Sequence, residues 1–211
     1  MPAPEPEPLL IAGNPFPGVI AGDLLRQLTF VVEVDRMKAV LRQSHVAAVD
    51  RPENDAEHSW HLALMAIVLA EHAAEPVDRA RVVELLVLHD LVEVYAGDVP
   101  LHDDAAMVGQ AEREVAAADR LYALLPAEQG ARLRAAWEEF EAHVTPEARF
   151  ARAMDRFQPL LLAWMTRQEA DPEITAAGVR ERLRIIEDGS PTLWAAAQAL
   201  IDESERRGYL G

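Results

Sequence analysis

His58, the adjacent pair His89–Asp90, and Asp155 set imidazole and carboxylate groups inside apolar surroundings. The pair lies in "LLVLHDLVEVYAGDVP", residues 85–100, with Glu93 and Asp98 close behind it. Asp155 lies in "RFARAMDRFQPLLLAW", among Phe150, Met154, Phe157 and Leu161. Burying such groups costs several kcal/mol unless something pairs with them. One divalent ion would pair with all of them at once. The chain has no cysteine. Disulfides, thiolate metal sites and thiol catalysis are therefore excluded, and any metal must be held by His, Asp or Glu. Such donors suit Mn, Co, Fe, Zn, Ni or Mg.

The spacing supports this chemistry. Neighbouring helical residues point about 100° apart, so His89 and Asp90 can bracket one ion off a helix flank. Glu93 follows His89 by four residues and Asp90 by three, which puts it on the same face one turn on. Pro159 follows Asp155 by four. Its ring clashes with the Asp155 carbonyl, which predicts a kink where the carboxylate is needed.

From Ile20 onward the pattern is helical. Leu24, Leu28, Val31, Val32 and Met37 or Val40 form a stripe up to about Leu41. "RQSHVAAVDRPEND" reads as a loop. "NDAE" resembles a capping box, with Asn54 or Asp55 as cap and Glu57 reaching back. "HSWHLALMAIVLAEHA" is apolar on nearly all sides and should be central. A second apolar helix spans about Val77 to Tyr95 and stops before Gly97, and a polar loop, "GDVPLHDD", follows. Further helices are expected over Met107–Leu125, Ala127–Ala142, Pro146–Glu169, Pro172–Asp188 and Pro191–Arg207, several with Pro in the first turn. No strand alternation is visible. The expectation is one all-α domain over residues 19–211 with two central apolar helices. The acidic, Pro-rich "MPAPEPEPLLIAGNPFPG", residues 1–18, reads as an extended tail. It lacks the basic start and apolar core of a secretion signal.

The formal charge of -16 argues against duplex nucleic acid as a partner, since phosphates need a basic face. It leaves room for a small phosphorylated substrate, which needs one or two local cations. No apolar span of about 18 residues is present, so no membrane helix is expected. The absence of cysteine is compatible with a reducing cytoplasm, and a cytoplasmic location is the expectation.

His58, His89–Asp90 and Asp155 in that order resemble the H…HD…D signature of the HD-domain metal-dependent phosphohydrolases. "ENDAEHSWHLALMAIVLAEHA", "LLVLHDLVEVYAGDVP" and "TPEARFARAMDRFQPLL" are similar to the branch that includes 5′-deoxynucleotidases, which remove phosphate from deoxynucleoside monophosphates. The likeness covers roughly Leu24 to Trp164. It implies an HD-domain helical bundle in which His58, His89, Asp90 and Asp155 hold one divalent metal ion. It implies that Glu93 assists the attacking water and that Asp98 lies near that water and the sugar. Arg42, in "VLRQSH", would contact the substrate phosphate, and the assembly would be a homodimer.

The chemistry follows from metal-activated water, a base in Glu93 or Asp98, and a bidentate cation in Arg42. Two alternatives stand beside it. One is an HD hydrolase of another nucleotide (triphosphate, alarmone or cyclic). The other is a metal-stabilised helical dimerisation module without turnover. Apolar stripes in "ITAAGVRERLRIIEDG" and "PTLWAAAQALIDES" are expected to serve self-association. His61, one turn from His58, reads first as a core-edge residue. His45, His72, His102 and His143 show no partner pattern.

Overall fold

A computed structural model describes residues 16–99, 107–166 and 174–210. Most of the expected tail at 1–18, and His102, lie outside the described residues. α1 (Gly22–Glu33) passes into a 3-10 segment, Val34–Ala39. The stripe expected here is rotated. Phe30, Glu33 and Met37 are buried, whereas Leu24 and Val31 are exposed, because burial of Glu33 takes the inward position.

The segment read as a loop forms a small antiparallel hairpin. β1 (Leu41–His45) pairs with β2 (Pro52–Asn54), with Leu41 opposite Asn54 and His45 opposite Pro52. Strands of five and three residues are too short to display a period of two, and their register is irregular. The turn is closed by Val46 N–H donating to the Arg51 carbonyl at 3.0 Å.

α2 (Asp55–Leu69) begins at the expected capping box. Glu57 N–H donates to Asn54 Oδ1 at 3.0 Å, and Asn54 N–H donates to Glu57 Oε2 at 3.2 Å. α3 (Arg79–Leu88) starts at Asp78, whose carboxylate accepts from Ala80 N–H at 2.9 Å. The helix expected to run on to Tyr95 stops at Leu88. Four residues in tighter turns lead to α4 (Glu93–Ala96), which ends at Gly97 with φ 77°. The bonds across the break run three residues back, from Leu91 to Leu88 and from Glu93 to Asp90, as in a 3-10 turn.

α5 (Gln110–Tyr122), α6 (Ala127–Ala142) and α7 (Pro146–Thr166) follow. α7 stays helical through Pro159, so the proline does not end it. Buried Met154, Phe157 and Leu162 hold the helix on both sides of it. The expected single helix from Pro172 is two in the described part, α8 (Ala176–Leu183) and α9 (Ile186–Gly189). α10 (Pro191–Arg206) completes the chain.

α2 and α3 pack on each other, and both pack on α7, which also meets α6, α9, α10 and β1. One apolar cluster links Phe30 to Ile201. Leu183, Ile186, Leu193, Trp194, Ala197 and Ile201 are buried. The C-terminal stripes expected to be free for self-association are therefore covered by the chain's own core. The exposed apolar row lies instead on α2, at Trp60, Leu64, Ile67 and Val68, with Trp60 67% exposed. Among the described residues, no helix is long and apolar enough to cross a membrane.

Candidate metal centre

Three chain segments bring the four expected ligands together. α2 supplies His58, the break after α3 supplies His89 and Asp90, and α7 supplies Asp155; all four are buried. His58 Nε2 lies 3.1 Å from Asp155 Oδ1 and 3.8 Å from Asp90 Oδ2. His89 Nε2 lies 3.0 Å from Asp90 Oδ2 and 3.5 Å from Asp155 Oδ1. With ligand bonds of roughly 2.0–2.2 Å, adjacent donors around one ion stand about 3.0–3.5 Å apart. Three of the observed separations fit that shell and the His58–Asp90 one is wider. Ligand atoms of His58, His89 and Asp155 all lie within 4.8 Å of one another, while Asp90 groups with Asp55 and Glu93 beside them. His89 Nε2 is also buried without a hydrogen-bond partner, which a cation would satisfy. The residues present fit a divalent ion.

The imidazoles are aimed by their other nitrogens. His89 Nδ1 lies 2.8 Å from the Leu86 carbonyl. A carbonyl only accepts, so Nδ1 holds the proton and Nε2 turns its lone pair to the cluster. The Leu86 carbonyl is the one an unbroken helix would offer to the Asp90 N–H. The side chain's use of it accounts for the helix ending here. His58 Nδ1 lies 3.2 Å from Gln158 Oε1. Phe140 closes the apolar side, its ring centroid 4.8 Å from that of His89.

Charges in this centre balance one another. Burial pushes Asp90 and Asp155 upward, but neighbouring cations outweigh it and hold both below the usual carboxylate range. His89 and Arg42 act on Asp90, and Arg156 with both imidazoles acts on Asp155. Burial pulls His89 down, yet Asp90 and Asp155 push it up to about 10.

A second acidic group adjoins the first. Oxygens of Asp55, Asp90 and Glu93 lie within 4.8 Å of one another. Burial, then the charges of Asp90 and Asp55, raise Glu93 well above the usual range. Burial and Asp90 raise Asp55 to about 6. Glu93 Oε2 is buried without a hydrogen-bond partner. Arg42, on β1, donates from Nη1 to Asp90 Oδ2 at 2.9 Å and to Asp55 Oδ1 at 3.2 Å, and stands 3.9 Å from Asp98 Oδ1. Asp98 is half-buried, and burial raises it too. Every site residue expected from the sequence therefore lies at this centre or on its rim.

Three residues here were not singled out for the site by sequence reasoning. Asp55 read only as a helix cap. Glu53, on β2, fell in a stretch read as loop. Gln158 sits one turn after Asp155, a spacing that marks the same helix face. His61, read as core-edge, touches Gln158 Nε2 at 3.2 Å through Nδ1. His143 has a partner after all, since Arg152 Nε donates to its Nε2.

A family model of the HD domain matches residues 34–194, more than half of the chain. The chain belongs to the HD-domain family. This HD-domain protein is 31% identical over 137 residues to the 5′-deoxynucleotidase HDDC2 of Bos taurus, which covers 64% of this chain and 65% of that one. The human 5′-deoxynucleotidase HDDC2 matches at 31% identity over 64% of this chain and 66% of its own. The match thus spans slightly under two thirds of these relatives' length. A crystal structure of a predicted metal-dependent phosphohydrolase from Magnetospirillum magnetotacticum MS-1 is 49% identical, with a TM-score of 0.84, covering 90% of this chain and 96% of that chain.

Proposed function

We propose that this HD-domain protein is a metal-dependent phosphohydrolase that releases phosphate from (deoxy)nucleoside 5′-monophosphates. The observation that carries the reading is the convergence of His58, His89, Asp90 and Asp155 at separations of 3.0–3.8 Å. The likeness to a metal-dependent phosphohydrolase and to 5′-deoxynucleotidases supports it.

These four residues would hold one divalent ion. Such an ion, when bound, lowers the pKa of water and polarises a phosphoryl oxygen. Glu93, whose Oε2 is buried beside Asp55 and Asp90, would accept a proton from the attacking water. Burial and the neighbouring carboxylates raise its pKa, the direction that makes a carboxylate a stronger base. Glu93 is better placed for this than Asp98, which lies outside the acidic group at the end of α4. Asp98 instead faces Arg42 and would orient water or sugar. Arg42 presents a guanidinium beside the ligands, where charge on the phosphoryl group develops. A homodimer would use the exposed α2 row at Trp60, Leu64, Ile67 and Val68, and a cytoplasmic location suits the cysteine-free chain and its nucleotide substrate.

The test is a phosphate-release screen of the full-length protein over nucleotides crossed with Co, Mn, Fe, Ni, Zn and Mg. Release from at least one 5′-monophosphate, abolished by chelation, is expected. Turnover confined to triphosphates, alarmones or cyclic nucleotides would replace the substrate. No turnover on any of them would leave the non-catalytic module.

A further inference from the structure

Behind His58 lies a buried chain of polar groups that the proposed reaction does not use. Glu53, on β2, is 3% exposed, and Gln158, on α7, is fully buried. Gln158 Nε2 donates to Glu53 Oε1 at 2.9 Å, and Gln158 Oε1 faces His58 Nδ1 at 3.2 Å. The other oxygen of Glu53 stands 3.7 Å from the same Nδ1.

The direction of every bond in this chain is forced. A carboxylate oxygen only accepts, so the Gln158 atom facing Glu53 is the amide nitrogen. The amide oxygen is then left for His58. An amide oxygen also only accepts, so His58 Nδ1 must carry a proton there. His58 Nε2, 3.1 Å from Asp155 Oδ1, is then the nitrogen that would turn its lone pair to a bound metal ion. Gln158 Nε2 also lies 3.2 Å from His61 Nδ1, which accepts its second N–H when the His61 proton sits on Nε2.

We propose that Glu53 is a positioning residue for the metal centre, acting through Gln158 to set the tautomer of His58. This rests on the metal-dependent reading above and extends it. The two ligand histidines are then set by different means. His89 uses a carbonyl of its own helix, whereas His58 depends on a carboxylate delivered by the hairpin.

The test uses the full-length protein and Co2+ alone, titrated by calorimetry and followed by the visible cobalt band. Glu53→Gln removes the acceptor that orients Gln158, and Gln158→Glu sets two carboxylates against each other. Each single variant is expected to lose about 10–100-fold in Co2+ affinity, the range for partners of metal-bound histidines. The double variant Glu53→Gln/Gln158→Glu restores the polarity of the chain. The carboxylate at position 158 accepts from His58 Nδ1, and the amide at position 53 donates to it. Recovery of most of the lost affinity is therefore expected.

Single variants that bind Co2+ as wild type does would overturn the proposal. So would a double variant as weak as the weaker single one, since a merely structural role predicts no rescue. Wild-type protein that binds no Co2+ would instead sink the metal reading itself. If the single variants do not fold, nitrogen NMR of the wild-type protein with Zn2+ decides. A proton on His58 Nδ1 is expected, and a bare or metal-bound Nδ1 contradicts the proposal.

Discussion

His58 Nε2 and Asp155 Oδ1 meet at 3.1 Å although 97 residues separate them along the chain. The contact joins the first turn of α2 to the middle of α7, and His89 and Asp90 enter between them from the end of α3. Loss of any one ligand should be felt by the others. Asp155→Asn keeps the shape and removes the charge. It is expected to weaken Co2+ binding at least about 100-fold, beyond what outer partners alone control. Titration calorimetry measures this, and unchanged affinity would place Asp155 outside the ion's shell.

Glu93→Gln separates metal binding from turnover. The amide is nearly isosteric but cannot take a proton. A fall in kcat of about 10²–10⁴ is expected, with Co2+ affinity held within about tenfold, less than the loss of a metal ligand would cause. Asp98→Asn should cost less in kcat and more in KM. The reverse ranking would make Asp98 the proton-transfer group.

Arg42→Lys keeps the charge but loses the fork. A drop of roughly 10–100-fold in kcat/KM is expected, the worth of one charge-assisted hydrogen bond of about 1.5–3 kcal/mol. Steady-state kinetics on a 5′-monophosphate checks it. A lysine variant as active as wild type would mean that Arg42 serves only to neutralise Asp55, Asp90 and Asp98.

The candidate ligands stood out in the sequence as ionisable groups inside apolar stretches and through their resemblance to the H…HD…D signature, while helical spacing relates only Glu93 to His89 and Asp90. The capping box at Asn54–Glu57 was legible because it is local. The hairpin was not, because its strands are too short for alternation and Arg42 and Glu53 lie among turn residues. The break after Leu88 was hidden in a run with no helix-breaking residue, since its cause is a side chain taking the Leu86 carbonyl. The rotated stripe of α1 has the same origin in tertiary partners. Glu33 is buried by accepting from Tyr95 Oη at 2.9 Å and from Arg36 Nε at 2.7 Å, contacts that no periodicity shows.

The fold around the site includes a close helix approach at Gly189. A Cβ at Gly189 would collide with the Arg149 carbonyl of α7. Gly189→Ala is therefore expected to destabilise by about 1–3 kcal/mol, the cost of overpacking, read as a lower urea midpoint at unchanged slope. An unaltered midpoint would mean that α9 and α7 separate freely.

His143 gives the protein an acid-sensitive element beside the candidate centre, sharing Arg152 and Arg156 with Asp155. Burial, then the charges of Arg152 and Arg156, push it down to about 4 from an ordinary value of 6.5. Between those values the unfolded chain binds the proton that the folded one refuses, so stability falls as pH drops through that window. His143 also holds φ 53°, which Asn tolerates. His143→Asn should flatten this part of the stability–pH curve. Urea unfolding at about pH 7 and about pH 4.5 compares the two chains, and identical curves would contradict the assignment.

Phosphate release from a deoxynucleoside 5′-monophosphate by the metal-stripped full-length protein, measured before and after Co2+ is restored, tests the central claim most directly. No release without metal, recovery with Co2+, and no recovery in His89→Ala are predicted. Release that persists without metal, or that Co2+ restores equally in His89→Ala, would contradict it.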